Sequence, residues 1–170
     1  GYSIQGNLLF PHMNVRDNIL YVPDLYDKKD EEYNKKALKK WMKLIDLPQE
    51  YLRRYPKQLS GGQQQRVGIA RAMANEPEIL LMDEPFGAID AITRTKLKKK
   101  IKAIHEQTGV TIVFVTHDIS EAIHLGNKVV IMEKGKIDQY DTPENIIDHP
   151  ATEFAKNLIG DNTLEEIAKK

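Results

Sequence analysis

The chain has 170 residues, and its 25 basic residues balance 25 acidic ones, so the formal net charge is zero. This balance excludes a whole-chain field that would attract nucleic acid or an anionic membrane, although a local charged patch stays open. The absence of cysteine excludes disulfides, thiolate metal sites and cysteine nucleophiles. No apolar run approaches the ~20 residues that a membrane-spanning helix needs.

After a short opening strand, residues 12–75 are predicted to be mostly helical. Asn14 is placed to cap the first helix, and residues 22–26, which include a proline, are predicted to form a loop. Apolar side chains between residues 37 and 45 recur at three- and four-residue steps, which is typical of an amphipathic helix. The opposite side of that helix carries lysines that we expect to be solvated rather than a binding patch: Lys35, Lys36, Lys39, Lys40 and Lys43.

From residue 76 onward, short aliphatic runs alternate with helical patterns. The runs are residues 79–82, 110–115 and 129–132. Runs that are apolar on both faces are typical of a parallel sheet with helical crossovers, covered on both sides. The last run is predicted to continue through residues 133–136 into a hairpin, and a helix with Pro143 in its first turn follows.

Two adjacent carboxylates, Asp83 and Glu84, end the first of these runs. In open α/β sheets, ligands bind at the carboxyl ends of the strands. Successive strand residues point to opposite sides, so one carboxylate can face a metal ion while the other faces a different substrate atom. Two close carboxylates also need a cation or a shared proton. The alternative is an ordinary strand that ends in a polar turn.

The second run leads to a histidine, His117, at the same predicted edge. A single histidine at a strand end is typical of a structural residue with satisfied hydrogen bonds, and that interpretation stays open. The neighbouring carboxylates Asp83 and Glu84 favour a functional site instead.

The segment Ser60–Gln63 has the spacing of a capping box, which predicts a helix from here to about Asn75. Gly61 and Gly62 are poor helix formers, but they allow another molecule to approach the exposed amides of a helix N-terminus, which favour anions. The alternative is a plain cap with a flexible lead-in.

These motifs, in this order, resemble those of the ATP-binding subunits of ABC transporters. Leu59–Gln63 is similar to the ABC signature, and residues 79–85 are similar to a Walker B strand with its following glutamate. Residues 87–90 resemble the D-loop, His117 resembles the switch histidine, and Gln5 resembles the Q-loop glutamine.

The resemblance implies an α/β fold, namely part of a P-loop NTPase (ABC ATPase) domain with a mostly parallel sheet and C-terminal helices. The helical subdomain would cover about residues 12–75, and the second half of the ATPase core would cover residues 76–160. Within the family, residues 9–13 and 18–25 most resemble importers of glycine betaine, choline or carnitine, which are osmoprotectants.

For the site, the resemblance implies ATP and Mg²⁺. Asp83 would hold Mg²⁺ through water, and Glu84 would polarise the attacking water. His117 would contact the γ-phosphate, and Gln5 would contact Mg²⁺ or the water. The signature residues would contact ATP on the opposite subunit: Ser60, Gly61, Gly62 and Gln63. Asp90 would act across the dimer interface.

The implied partners are a second ATP-binding subunit in a homodimer, transmembrane permease subunits and, indirectly, a solute-binding protein. The implied location is cytoplasmic, on the inner face of the cell membrane, and no nucleic acid is expected.

A phosphate loop of the form G-x-x-x-x-G-K-[ST] is absent from the sequence. The only Gly-Lys pair is Gly135–Lys136, and Val130 and Ile137 occupy positions where the motif needs glycine and Ser or Thr. The resemblance places this loop before Gln5, so we expect a truncated piece that binds ATP weakly or not at all and hydrolyses none. We also expect an exposed sheet edge and apolar surface that favour self-association.

Two other functions compete with this one. A soluble ABC ATPase acting on nucleic acid or ribosomes is disfavoured by the balanced charge and by the lack of heptads between Gln5 and Ser60. Its best support, the basic stretch 96–102, is better explained as the solvent side of a helix. A non-catalytic interaction module would explain the missing phosphate loop, but it gives Glu84 and His117 no purpose.

Overall fold

The computed structural model describes residues 1–4, 9–25, 31–87 and 89–168. These form two compact units, Gly1–Val115 and Thr116–Lys170. Within the described ranges, no helix combines the length and the hydrophobicity that crossing a membrane requires. Gln5, the predicted Q-loop glutamine, lies outside the described residues.

The first unit contains three strands and four helices among its described residues, and the second contains two strands and three helices. In chain order they are β1 Tyr2–Ser3, α1 Val15–Leu25, α2 Glu31–Leu44, α3 Gly61–Met73, β2 Ile79–Asp83, α4 Ala91–Thr108, β3 Thr111–Val115, α5 Ile119–Leu125, β4 Val129–Glu133, β5 Lys136–Asp141, α6 Pro143–Asp148 and α7 Glu153–Ala168. Two 3-10 turns, Gln49–Arg53 and Pro56–Gln58, precede α3.

The sheet of the first unit is parallel, in the order β1-β2-β3. Leu81, in the middle of β2, pairs with Tyr2 on one side and with Val113 on the other. The parallel pairing predicted for the first two aliphatic runs is therefore confirmed. Because parallel strands end at the same edge, Asp83 lies opposite Val115 at the carboxyl end of the sheet.

The third aliphatic run forms β4, but its predicted place in a parallel sheet is wrong. Within the described residues it pairs antiparallel with β5 in a separate two-stranded sheet. Lys134 and Gly135 both have positive φ, 49° and 77°, as a tight hairpin turn of the primed type requires. The predicted hairpin is confirmed, and its tight turn pairs β4 directly with β5.

One face of the parallel sheet is buried, and the other is exposed and apolar. On β2, Leu80 and Met82 are 1% and 2% exposed, whereas Ile79 and Leu81 are 53% and 43% exposed. The register continues this exposed face onto the neighbouring strands, through Tyr2, Val113 and Val115. The sequence predicted cover on both faces, so this part of the expectation fails, while the expected exposed apolar surface is present.

The helices before the signature segment follow the predicted pattern with one exception. Asn14 accepts the amide of Asp17 at 2.9 Å and caps α1, as expected. The predicted loop over residues 22–26 is wrong for its described part, because α1 continues to Leu25 with Pro23 inside it. Pro23 is buried in the helix, whose packing against α3 offsets the lost backbone bond.

Both predicted amphipathic stripes are buried. In α2 the buried side includes Trp41 and Met42, and all five lysines of the opposite side are exposed. In α4 the buried residues are Leu97, Ile101 and Ile104, as predicted for the helix with the basic stretch. The lysine-rich surfaces are therefore the solvent sides of packed helices.

The second unit has its own small core. It contains Val129 and Ile131 from β4, Ile146 from α6, and Ala155 and Ile159 from α7. The predicted helix after residue 142 is confirmed, with Pro143 in the first turn and Thr142 as its N-cap. Helix α7 is kinked at Gly160, which has φ 58°.

Candidate functional site

The start of α3 has the geometry that the signature-like segment predicts. The Ser60 hydroxyl accepts the Gln63 amide at 3.3 Å, and the Gln63 side-chain oxygen accepts the Ser60 amide at 2.9 Å. Ser60 is exposed, and Gly61 and Gly62 are half-buried, so this turn is not enclosed in a core. The first amides of a helix have no intrahelical acceptor, which makes this turn suited to an anion.

Arg66 links helix α3 to the turn that follows α2. Its guanidinium donates to the carbonyl oxygens of Ile45 and Asp46, at 2.9 and 3.0 Å, at the turn that follows α2. Burial lowers the pKa of Arg66 from its ordinary value, but a guanidinium keeps its charge in proteins. These bonds tie the signature helix to the end of α2.

The two carboxylates after β2 differ in backbone conformation. Asp83 is the last residue of the strand and is half-buried. On the alternation of β2, it shares a side with the exposed Ile79 and Leu81. Glu84 has a φ of 45°, so the strand alternation stops there. Strand alternation therefore does not determine the direction of the Glu84 side chain relative to that of Asp83, as the sequence prediction assumed.

The backbone of Glu84 is fixed by three hydrogen bonds, two of which come from distant elements. Its amide donates to the carbonyl of Val115, at the end of β3, at 2.9 Å. Its carbonyl accepts the Gln65 side-chain amide of α3 at 2.9 Å and the Gly87 amide at 3.2 Å. A left-handed non-glycine residue costs on the order of 1–3 kcal/mol and persists only when its surroundings over-determine it.

The turn after Glu84 is packed closely. Phe86 is 1% exposed, and its ring meets that of Phe114 edge to face at 6.2 Å between centroids. A Cβ at Gly87 would lie 3.3 Å from a Glu84 carboxylate oxygen, closer than most side-chain contacts allow. Glycine at this position therefore leaves room for the Glu84 side chain over the turn.

Asp90 begins the next helix. Its carboxylate accepts the Thr93 amide at 3.0 Å and caps α4. The hydrogen bonds with Thr93 lower the pKa of the Asp90 carboxyl from its ordinary value. The sequence prediction gave Asp90 only an interface role and missed the cap, although aspartate is among the best N-cap residues.

His117 belongs to the second unit and is exposed in the loop between β3 and α5. The neighbours on both sides of it are held by local bonds. Thr116 donates its hydroxyl to the buried Glu121 carboxylate at 2.7 Å and accepts the Asp118 amide at 3.1 Å. Asp118 in turn caps α5 by accepting the amides of Ser120 and Glu121.

The structure links two of the predicted motifs, the signature helix and the loop of Glu84. Within the first unit, it joins the signature helix to the Glu84 loop through Gln65 and puts Asp90 at the helix that follows this loop. That Glu84 and His117 share one edge stays a prediction. Sequence reasoning missed Gln65 and Arg66, because their bonds reach residues that are distant in the chain.

The donor chemistry of Asp83 suits Mg²⁺, a hard cation that prefers oxygen ligands. In the part of the chain that the structure describes, no three His, Asp or Glu side chains form a group that could hold a metal ion. A single carboxylate such as that of Asp83 fits a Mg²⁺ ion that completes its coordination with water and phosphate oxygens.

Comparison with known proteins agrees with these motifs. A sequence model of the ABC transporter family matches residues 1–87. The chain is 51% identical over 166 residues to the carnitine transport ATP-binding protein OpuCA of Listeria monocytogenes, covering 98% of this chain and 42% of that protein. It is 50% identical over 164 residues to the glycine betaine/carnitine/choline transport ATP-binding protein OpuCA of Bacillus subtilis, covering 96% of this chain and 43% of that protein.

A solved structure, a dimeric post-hydrolysis state of an ATP-binding cassette with ADP and Pi, is similar with a TM-score of 0.75 and 34% identity. The match covers 84% of this chain and 62% of the chain in the solved structure. The chain spans about two fifths of the length of the two curated relatives. The predicted α/β fold is thus confirmed. Because the family model matches half of the sequence, including the signature turn and Asp83–Glu84, the chain belongs to the ABC transporter family.

Proposed function

We propose that the chain is part of the subunit that binds and hydrolyses ATP to drive a membrane importer for glycine betaine, choline or a related osmoprotectant. The observation that carries the ATP chemistry is the link between the capped signature helix and the loop of Asp83 and Glu84, through Gln65. The solute class is supported by the names of relatives at 51% and 50% identity.

The reaction would be phosphoryl transfer to water. As the water oxygen bonds to the γ-phosphorus, the bond to the bridging oxygen of ADP breaks. Glu84 would accept the proton of the water, and Asp83 would hold Mg²⁺ through a water molecule. When bound, the ion would neutralise part of the phosphate charge. Most of the remaining catalysis would come from the protein holding the water and the phosphate in position.

The signature turn would serve the ATP held by a second copy. The amides near Gly61 and Gly62 and the hydroxyl of Ser60 would contact the γ-phosphate, because a helix N-terminus favours negative charge. Gln63 would hold this turn, since its side chain already accepts the Ser60 amide. The other proposed contacts are His117 with the γ-phosphate, Gln5 with Mg²⁺ or the water, and Asp90 across the dimer interface.

The proposed partners are a second identical ATP-binding subunit, transmembrane permease subunits and, indirectly, a solute-binding protein. The complex would place this subunit on the cytoplasmic face of the cell membrane. The 170-residue chain alone is expected to be inactive, because its sequence contains no G-x-x-x-x-G-K-[ST] loop.

The test is phosphate release by the full-length protein that contains this chain, purified with its permease subunits. Glu84→Gln keeps the size of the side chain but removes the base, so turnover should fall by about 100-fold or more. The matched control, Glu106→Gln on the exposed side of α4, should keep the wild-type rate. Undiminished hydrolysis by Glu84→Gln would contradict the proposal, and stimulation by nucleic acid or ribosomes instead of membrane subunits would favour the soluble alternative.

A further inference from the structure

The side chain of Gln65 joins two parts of the first unit that are far apart in the chain. Gln65 lies in α3, five residues after the N-cap Ser60. Its side-chain amide donates to the backbone carbonyl of Glu84 at 2.9 Å, and this bond is partly buried. It is therefore a direct link from the signature helix to the residue that ends the Walker B-like segment.

This contact carries two energetic costs. Glu84 has a left-handed backbone, with φ 45°, which a residue with a Cβ rarely adopts. The other amide atom of Gln65, Oε1, is buried and has no hydrogen-bond partner among the described residues. A buried polar atom without a hydrogen bond lowers stability, so methionine would fill the same space at a smaller cost if packing were the only purpose.

The two costs are explained if the function requires Glu84 to keep this backbone conformation. The Val115 carbonyl fixes the Glu84 amide from β3, and Gln65 fixes the Glu84 carbonyl from α3. Together they hold the peptide units on both sides of the Glu84 Cα, and these set the direction in which its side chain leaves the backbone. Strained residues that are held in this way cluster at functional sites.

We infer that Gln65 is a positioning residue: its side-chain donor holds the backbone of Glu84 so that the carboxylate is aimed at the attacking water. The inference rests on the proposed function. It gives Gln65 a role in the same subunit as Glu84, whereas the signature turn at the start of the same helix would serve ATP on the opposite subunit.

The inference is tested in the full-length protein with three substitutions of similar length. Gln65→Met and Gln65→Glu both lack the donor, whereas Gln65→Lys keeps one. The matched control is Gln139→Met, because the Gln139 side chain also bridges backbone groups, donating to His149 and accepting from Ala151 in the second unit.

Two measurements are needed. In Gln65→Met and Gln65→Glu, kcat for ATP hydrolysis should fall roughly 10- to 100-fold while KM for ATP stays within about twofold, because only the aim of the base changes. Gln65→Lys should recover part of the loss. Amide hydrogen exchange at Glu84 and Gly87 should be about fivefold faster in the donor-free variants and unchanged in Gln139→Met.

The outcomes separate this inference from the proposed function. If the wild-type protein hydrolyses ATP and the donor-free variants match Gln139→Met in kcat and exchange, the inference is wrong. An equal loss in Gln65→Lys would also overturn it. If the wild-type protein hydrolyses no ATP, the proposed function fails, and the exchange rates at Glu84 still decide whether Gln65 holds that backbone.

Discussion

The loops that follow β2 and β3 are held in opposite ways. The loop from Asp83 to Gly87 depends on partners elsewhere in the chain, since Glu84 bonds to Val115 and to Gln65. On both sides of His117 the bonds are local, because Thr116 and Asp118 bond within a stretch that ends at Glu121.

This difference indicates where each functional side chain gets its position. Glu84 is strained, so its geometry is predicted to change when a distant partner is altered. The residues on both sides of His117 bond within the stretch 116–121, so substitutions there are predicted to act mainly on that stretch. Substitutions in and around the two loops test this difference.

The largest effect is expected for Phe86→Ala. Phe86 is 1% exposed and meets Phe114 edge to face, so its removal leaves a cavity beneath the Glu84 turn. The free energy of unfolding should fall by about 3–5 kcal/mol, measured by urea denaturation. The control Ile92→Ala removes a side chain that is 72% exposed and should change stability by less than about 0.5 kcal/mol. A loss as small as the control would mean that this turn is not supported by its packing.

A smaller loss is expected for Thr116→Val. Glu121 is 4% exposed, and the substitution removes the hydroxyl that donates to its carboxylate. The cost should be about 1–3 kcal/mol, and faster amide exchange should be confined to residues 116–125. Thr111→Val, on the exposed side of β3, is the control. Faster exchange that extends to Glu84 would contradict a local effect.

The exposed face of the parallel sheet predicts self-association of the isolated chain. Leu81 and Val113 are neighbours on that face, and they are 43% and 52% exposed. Replacing both with threonine keeps strand propensity but lowers the gain from burial, so association should weaken by about tenfold or more. Light scattering over a concentration series measures this, and a wild-type monomer at high concentration would contradict it.

The smallest effect is expected at the α4 cap. Because the folded state lowers the pKa of Asp90, its contribution to stability is present above the ordinary aspartate pKa and is lost as pH falls through the folded value. Asp90→Ala should therefore lower Tm at neutral pH, with a gap to the wild type that closes in acid below about pH 4. Asp90→Asn keeps an acceptor without this titration, so its Tm should stay near the wild-type value at neutral pH. A gap that is constant with pH would contradict the cap assignment.

The sequence allowed prediction of the features that depend on near neighbours. The capping box at Ser60, the apolar stripes of α2 and α4 and the tight turn at Lys134–Gly135 all follow from residues close together in the chain. The strand ending in Asp83 was predictable from its aliphatic run.

Features that depend on tertiary partners were missed. The left-handed Glu84, its bond to Gln65 and the link from Arg66 to the end of α2 involve residues 19 or more positions apart. The continuation of α1 through Pro23 depends on packing against α3. The partner of β4 was assigned to the wrong kind of sheet, because an apolar run does not specify which strand it pairs with.

The most direct test of the composite ATP site is complementation between two inactive full-length variants. Glu84→Gln removes the base, and Gly62→Asp places negative charge where the γ-phosphate would bind, while aspartate in a first turn leaves the helix stable. Each variant alone should release little phosphate. In a mixture, dimers that combine one of each keep one intact site, so phosphate release should recover to at most roughly a quarter of the wild-type rate for random pairing. A mixture as inactive as its components would contradict a site shared between two subunits.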